Sequence, residues 1–181
     1  LIKLKVESLL TMRKLILYLL ILSPYFIFQS CKMSYGFNDA SIDYTKVKTV
    51  SIVVFPNYAP LAQPTLSQEF TEELRNIFLV QTKLDLVKTD GDLQFTGKII
   101  NYTTAPVGIQ SNEVAAQNRL TITVQVKYVN KTDDTKSFES SFTKYSDYDS
   151  NRPLNQVEND LVKEINELLT QEIFNKAASN W

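Results

Sequence analysis

The sequence predicts an α+β fold: two amphipathic helices packed on one face of a roughly four-stranded mixed sheet, in the order β-α-β-β-β-α. Three observations carry this. Residues 119–129 (RLTITVQVKYV) alternate strictly, with Leu120, Ile122, Val124, Val126 and Tyr128 on one side and Arg119, Thr121, Thr123, Gln125 and Lys127 on the other, the period of a half-buried antiparallel strand. Leu66, Phe70, Leu74, Ile77 and Phe78 recur at helical spacing, as do Val157, Leu161, Ile165, Leu168, Leu169 and Ile173. Two helices on one face leave the other face of the sheet open to water or to a partner.

The elements follow in order. Residues 46–55 (KVKTVSIVVF) are dense in β-branched side chains and suit a strand covered on much of both faces. Three prolines in 56–64 (PNYAPLAQP) exclude regular structure there. A helix is expected over 66–81, with Thr65 and Gln68 three residues on as a capping box and Glu69, Glu72 and Glu73 near the favourable end of its dipole. A short apolar segment, 84–87, precedes a turn at TDGD (89–92) and a strand over 93–102. After the alternating strand, NKTDDT (130–135) reads as a turn and 137–145 as a further strand. The last helix is expected over 155–176, with Asn155 as N-cap and Glu158 completing its box.

Ahead of this domain the chain has a different character. Met12 is followed by Arg13 and Lys14 and then by an uncharged, mostly apolar run, 15–28, the layout of a secretory signal. The run is shorter than the roughly 20 apolar residues of a membrane-spanning helix, and Pro24 interrupts it. Residues 1–11 read as an upstream extension, 12–30 as the signal, 31–45 as a polar tether and 46–181 as one domain. The run ends in FQSC, which places the chain's one cysteine, Cys31, at the signal's exit. This resembles the lipobox of bacterial lipoproteins and implies Cys31 as a lipid attachment point; a buried free thiol is the alternative. Several acyl chains make a stable anchor where one is marginal. The residues after Cys31 do not resemble the acidic surface-export signal of Bacteroidota lipoproteins, and the lipoprotein resemblance then implies a domain that hangs from the outer membrane on the periplasmic side.

Composition narrows the function. With 19 Lys and Arg against 20 Asp and Glu, the chain lacks the basic excess of a general nucleic-acid binder. From Cys31 onward the balance is 15 − 19 = −4. The absence of histidine removes His-based acid–base and nucleophile chemistry and most zinc sites, and one cysteine supplies neither an internal disulfide nor a cysteine-rich metal site. The four scattered glycines form no phosphate-cradling loop. No catalytic residue, metal site or cofactor is predicted. The carboxylates of YSDYDS (145–150) and of Asp133–Asp134 lack calcium-loop spacing and read as turn chemistry.

Two features stand out as candidate binding elements. Residues 103–118 (TTAPVGIQSNEVAAQN) carry one charge, Glu113, and read as a long hairpin tip; as a weakly charged finger with Pro106, Val107 and Ile109 it would suit insertion into a barrel lumen, a plain surface loop being the alternative. Residues 98–127 hold three cations and one anion, 3 − 1 = +2. Arg119 and Lys127 share the polar strand face at about 27 Å separation. With Lys98 as a weaker third, they are candidate phosphate contacts, solvated surface charges being the alternative. No role is derived for Trp181.

LSQEFTEELRNIFLVQTKLDLV, DLQFTGKIINY, NRLTITVQVKYVN and LTQEIFNKAASNW resemble the LptE family of lipopolysaccharide-assembly lipoproteins in its Bacteroidota form, over most of 31–181. The resemblance rests on patterned segments, with no binding residue carried across. It implies a lipoprotein that plugs an LptD-like outer-membrane β-barrel and assists insertion of lipopolysaccharide into the outer leaflet. Two other classes stay open: a periplasmic scaffold that binds protein only, and, against the missing catalytic motifs, a tethered hydrolase.

Overall fold

The computed structural model describes residues 42–109 and 115–178. Five strands form one mixed sheet: β1 (Thr49–Ile52), β2 (Asp85–Val87), β3 (Leu93–Ile109), β4 (Ala115–Asn130) and β5 (Phe138–Asp149). Helices α1 (Leu66–Gln81) and α2 (Glu158–Ala178) complete the fold. The strand order is β2-β1-β3-β4-β5. β1 is parallel to both neighbours, joined to β2 through α1, while β3, β4 and β5 are antiparallel. The extra strand relative to the expected four is the short apolar segment after α1, which has just enough length to pair with β1.

α1 occupies the predicted residues and buries Leu66, Phe70, Leu74, Ile77 and Phe78. Its capping box does not form. Thr65 has helical torsions (φ −77°, ψ −20°) that turn its hydroxyl away from a cap, and the first turn is held instead by Ser67 Oγ donating to the Phe55 carbonyl at 2.6 Å. α2 begins at Glu158 and not at Asn155, because Leu154–Gln156 form a 3-10 turn first. Glu158 accepts a hydrogen bond from the buried Tyr102 hydroxyl, so tertiary contact replaces the expected N-cap.

The predicted strand 46–55 is regular over four residues only. Beyond them the chain follows β3 irregularly, through Val53 N–H to Phe95 O (3.2 Å), Ile99 N–H to Pro56 O (3.0 Å) and Tyr58 N–H to Ile99 O (2.9 Å). Where β2 stops, the Ile52 carbonyl is taken by Arg75 of α1, from Nη2 at 2.8 Å. The turn before β3 is stapled by Asp92, whose Oδ2 accepts from Lys48 N–H (2.8 Å) and Thr49 N–H (3.0 Å). Those donors hold the Asp92 carboxyl below its ordinary pKa, the Lys48 bond first. Gly91 fits here because a Cβ would stand 2.6 Å from Ser51 N.

The largest departures lie in the 103–118 segment and in β5. β3 runs to Ile109 and β4 starts at Ala115, so most of what reads as a loop is ladder, with Pro106 opposite Asn118 and Val107 opposite Gln117. Pro106 is tolerated because β1 pairs only with Leu93–Phe95 of β3, leaving this stretch an edge that requires no further donor. YSDYDS likewise continues β5 as far as Asp149, with Ser146 and Tyr148 buried and Tyr145, Asp147 and Asp149 exposed, in register with β4.

Both helices lie side by side on one sheet face, running in the same direction: Gln63 meets Asn159 just before α1, and Gln81 meets Gln171 at its end. The core between layers contains an aromatic column. Ring centroids are 5.0 Å apart for Phe174–Phe78, 4.8 Å for Phe78–Phe95, 4.7 Å for Phe95–Tyr128 and 5.1 Å for Tyr128–Phe138. Beside it the Phe55 ring lies over Gly97 of β3, so that a Cβ there would overlap the ring and the Gln125 carbonyl.

Two stability outcomes follow. Gly97→Ala is expected to destabilise the domain by about 2 kcal/mol through overpacking, read as a lower urea midpoint. Among the described residues, the buried Asn166 Oδ1 in α2 has no hydrogen-bond partner. Asn166→Leu is therefore expected to stabilise by about 1 kcal/mol in the same titration, and a lower midpoint would show the polar group to be satisfied.

Candidate functional site: the open sheet face

Alternation across β3, β4 and β5 divides the sheet sharply. Leu120, Ile122, Val124, Val126 and Tyr128 are buried beneath the helices, as predicted. The register puts Thr96, Lys98, Asn101 and Thr103 of β3 beside Thr121, Thr123, Gln125 and Lys127 of β4 on the opposite face, and Glu139, Ser141, Thr143, Tyr145 and Asp147 of β5 beyond. The β3 alternation survives its irregularity at Ile99/Asn101 because the extra residue, Ile100, is turned outward. No helix covers this face among the described residues. It is lined by hydroxyls, amides and a few charges.

The three candidate cations do not form one site. Lys98 is opposite Gln125 and Lys127 opposite Thr96, which makes the two lysines diagonal neighbours, about 7 Å apart at the backbone. Lys98 Nζ stands 5.9 Å from the Tyr58 ring centroid. Gln125 Nε2 donates to Glu139 Oε1 at 3.0 Å, so one carboxylate borders the lysine pair.

Arg119 lies farther along β4 and is already engaged. Its Nε and Nη2 donate to the two carboxylate oxygens of Asp147 at 2.7 and 2.8 Å, and its guanidinium carbon is 3.6 Å from the Tyr145 ring centroid. A bidentate fork stacked on an aromatic face is the geometry for which Arg differs from Lys. The expected strand 137–145 stops at Tyr145 and leaves Asp147 to the turn chemistry of 145–150; in the strand register Arg119 and Asp147 are direct partners, and the period of two continuing through 145–149 is the available signal.

Of the hairpin candidates, Pro106 is exposed and Val107 half-buried, while Ile109 pairs with Ala115. Cys31 and Trp181 lie outside the described residues. Asp133 does serve turn chemistry, its Oδ1 accepting from Thr135 N–H at 3.2 Å. Among the described residues no group of three potential ligands could hold a metal ion, and no helix is long and apolar enough to cross a membrane.

A sheet with one face covered by two parallel helices and the other open and polar is a small two-layer α+β module. The family model described as LptE, lipopolysaccharide-assembly, matches residues 47–177, and the chain belongs to that family. No curated protein matches. Among solved structures, rare lipoprotein B from Shewanella oneidensis shares 12% identity over 72% of this chain and 94% of its own, with a TM-score of 0.51. A hypothetical protein from Chlamydia trachomatis shares 13% over 72% and 96%, at 0.50. A minor lipoprotein from Acinetobacter baumannii shares 15% over 73% and 93%, at 0.47. At these identities the first two show the common fold alone. The expected α+β architecture and the family are both borne out.

Arg119 holds the Asp147 carboxyl below its ordinary pKa, through hydrogen bonding first and its charge second. Because the folded value is depressed, the pair's stabilisation is fully present above about pH 4 and is lost as pH falls through the depressed value. In Arg119→Ala the Asp147 carboxyl carbon is expected to titrate in the ordinary range by NMR. An unchanged midpoint would remove Arg119 as the cause.

Proposed function

We propose that this LptE-family, lipopolysaccharide-assembly lipoprotein is a Bacteroidota-type member anchored by a lipid on Cys31 to the periplasmic side of the outer membrane. There it plugs an LptD-like β-barrel and contacts lipopolysaccharide as the lipid passes to the outer leaflet. It works by binding and not by catalysis. The observation that carries the ligand contact is the uncovered polar sheet face with Lys98 and Lys127 as diagonal neighbours. Two ammonium groups at that spacing, among Thr96 and Gln125, suit the phosphates of a lipid A headgroup through charge-assisted hydrogen bonds. Arg119 is the weaker contact, because a phosphate must compete with Asp147 for its fork. The β3–β4 hairpin, exposed at Pro106 and extending beyond the helices' cover, is the element that enters the lumen, with Val107 and Ile109 alongside.

The test has two parts. A mild-detergent pull-down of the tagged full chain is expected to bring a stoichiometric outer-membrane β-barrel, with mass spectrometry finding acylated Cys31. An acylated Cys31 without a barrel would favour the protein-binding scaffold. In lipopolysaccharide binding, Lys98→Ala with Lys127→Ala is expected to weaken affinity at least about tenfold, and Arg119→Ala less. Unchanged affinity in the lysine double variant would overturn the sheet-face contact.

A further inference from the structure

The open sheet face changes character from one margin to the other. β1 ends at Ile52, and the chain beyond it runs on beside β3 in the parallel sense, with Val53 N–H bonded to Phe95 O and Asn57 bridged to Ile99. These bonds fix which side chains meet on the open face. Val53 falls beside Thr96, Pro56 beside Lys98 and Tyr58 beside Ile100, each about 4.8 Å away at the backbone. Val53 is 45% exposed, Tyr58 68% and Ile100 40%, and Pro56 is exposed as well. Single exposed apolar residues are ordinary; these four adjoin one another in an uncharged column along the margin.

Charge is ordered across the same face. Inward from the column comes Lys98 of β3, then Lys127 of β4, and beyond them the acids Glu139 and Asp147 of β5. On the column's own margin the acids Asp85 and Asp92 both meet Thr49, four residues and about 13 Å along the strand from Val53. Glu72 belongs to α1 on the covered face, where it meets Arg75. A face that passes from apolar through cationic to acidic suits an anionic amphiphile in one orientation. Its headgroup lies over the lysines, and its hydrocarbon lies toward the β1 margin and away from β5. We infer that Val53, Pro56, Tyr58 and Ile100 seat acyl chains of the lipid whose phosphates meet Lys98 and Lys127. The inference rests on the lipopolysaccharide contact proposed above for this face. Apolar area removed from water drives the seating, and the lysines fix where the headgroup stops. The column ascends β3 toward the β3–β4 hairpin, so the seated lipid lies at the base of the element that enters the lumen.

The test measures binding of two probes to the full chain in mild detergent: lipid A, and the same lipid A stripped of every acyl chain by alkaline hydrolysis. The wild-type chain is expected to bind the acylated probe at least about tenfold more tightly. Val53→Thr, Tyr58→Ser and Ile100→Thr combined are expected to bring that ratio close to one and to leave affinity for the deacylated probe unchanged. A wild-type urea midpoint checks that this variant is folded, and Tyr58→Ser alone is expected to lower the ratio in the same direction. No preference in the wild type, or an undiminished ratio in the variants, would overturn the acyl seat. Lys98→Ala with Lys127→Ala is expected to weaken both probes together. Unchanged affinity for both probes in that variant would instead overturn the headgroup contact, and the seat with it.

Discussion

The contact on which the other elements depend is the aromatic column Phe174–Phe78–Phe95–Tyr128–Phe138, which contains a residue of both helices and of β3, β4 and β5. Edge and tilted ring contacts add roughly 1 kcal/mol per pair beyond burial of area, and here they link elements distant in sequence. Tyr128 is the demanding member: its ring is buried while its hydroxyl faces Asn130, and burial pushes that hydroxyl's pKa up to about 12. Lys176 closes the end of the column, with its ammonium 4.7 Å from the Phe138 centroid and 2.6 Å from Ser140 Oγ.

Around the column, a polar seam joins α2 to β5 beside the buried Phe142 and Tyr148. Ser146 Oγ donates to Glu164 Oε2 at 2.7 Å, and Lys144 Nζ is 3.0 Å from Glu172. With the Lys176–Ser140 bond, these three contacts set the axial position of the helix along an edge strand. Partly exposed pairs of this kind contribute little stability individually. Their effect is on register, and an inward-facing lysine on an edge strand also discourages pairing with other chains.

The open face shows the opposite economy. Nothing in the core requires Thr96, Lys98, Gln125 or Lys127, yet the pleat forces whatever occupies those positions outward together. Arg119 and Lys127, one strand face apart in sequence terms, end in different chemical states: the first neutralised by Asp147 and stacked on Tyr145, the second diagonal to another cation. Chemistry on such a face lies in surface placement, and the lysine pair is where the register brings two cations together.

By itself the sequence determined most of the buried set, because a period of two or of 3.6 is a property of the chain alone; Leu168 of the α2 stripe and Val53 and Val54 of the expected first strand are exposed instead, since no element packs over them. Leu120 to Tyr128 on β4 and the Leu66–Gln81 helix were legible for that reason. It did not determine where elements begin and stop. Thr65 lost its cap to Ser67, Asn155 lost its cap to the Tyr102–Glu158 bond, and the loop-like 103–109 segment became strand through pairing with β4. Nor could it show that Asp147 lies across from Arg119 while Lys98 lies diagonal to Lys127. Pairing partners tens of residues apart are chosen by the shared burial of one sheet face, and only the folded register reveals which side chains then meet on the other.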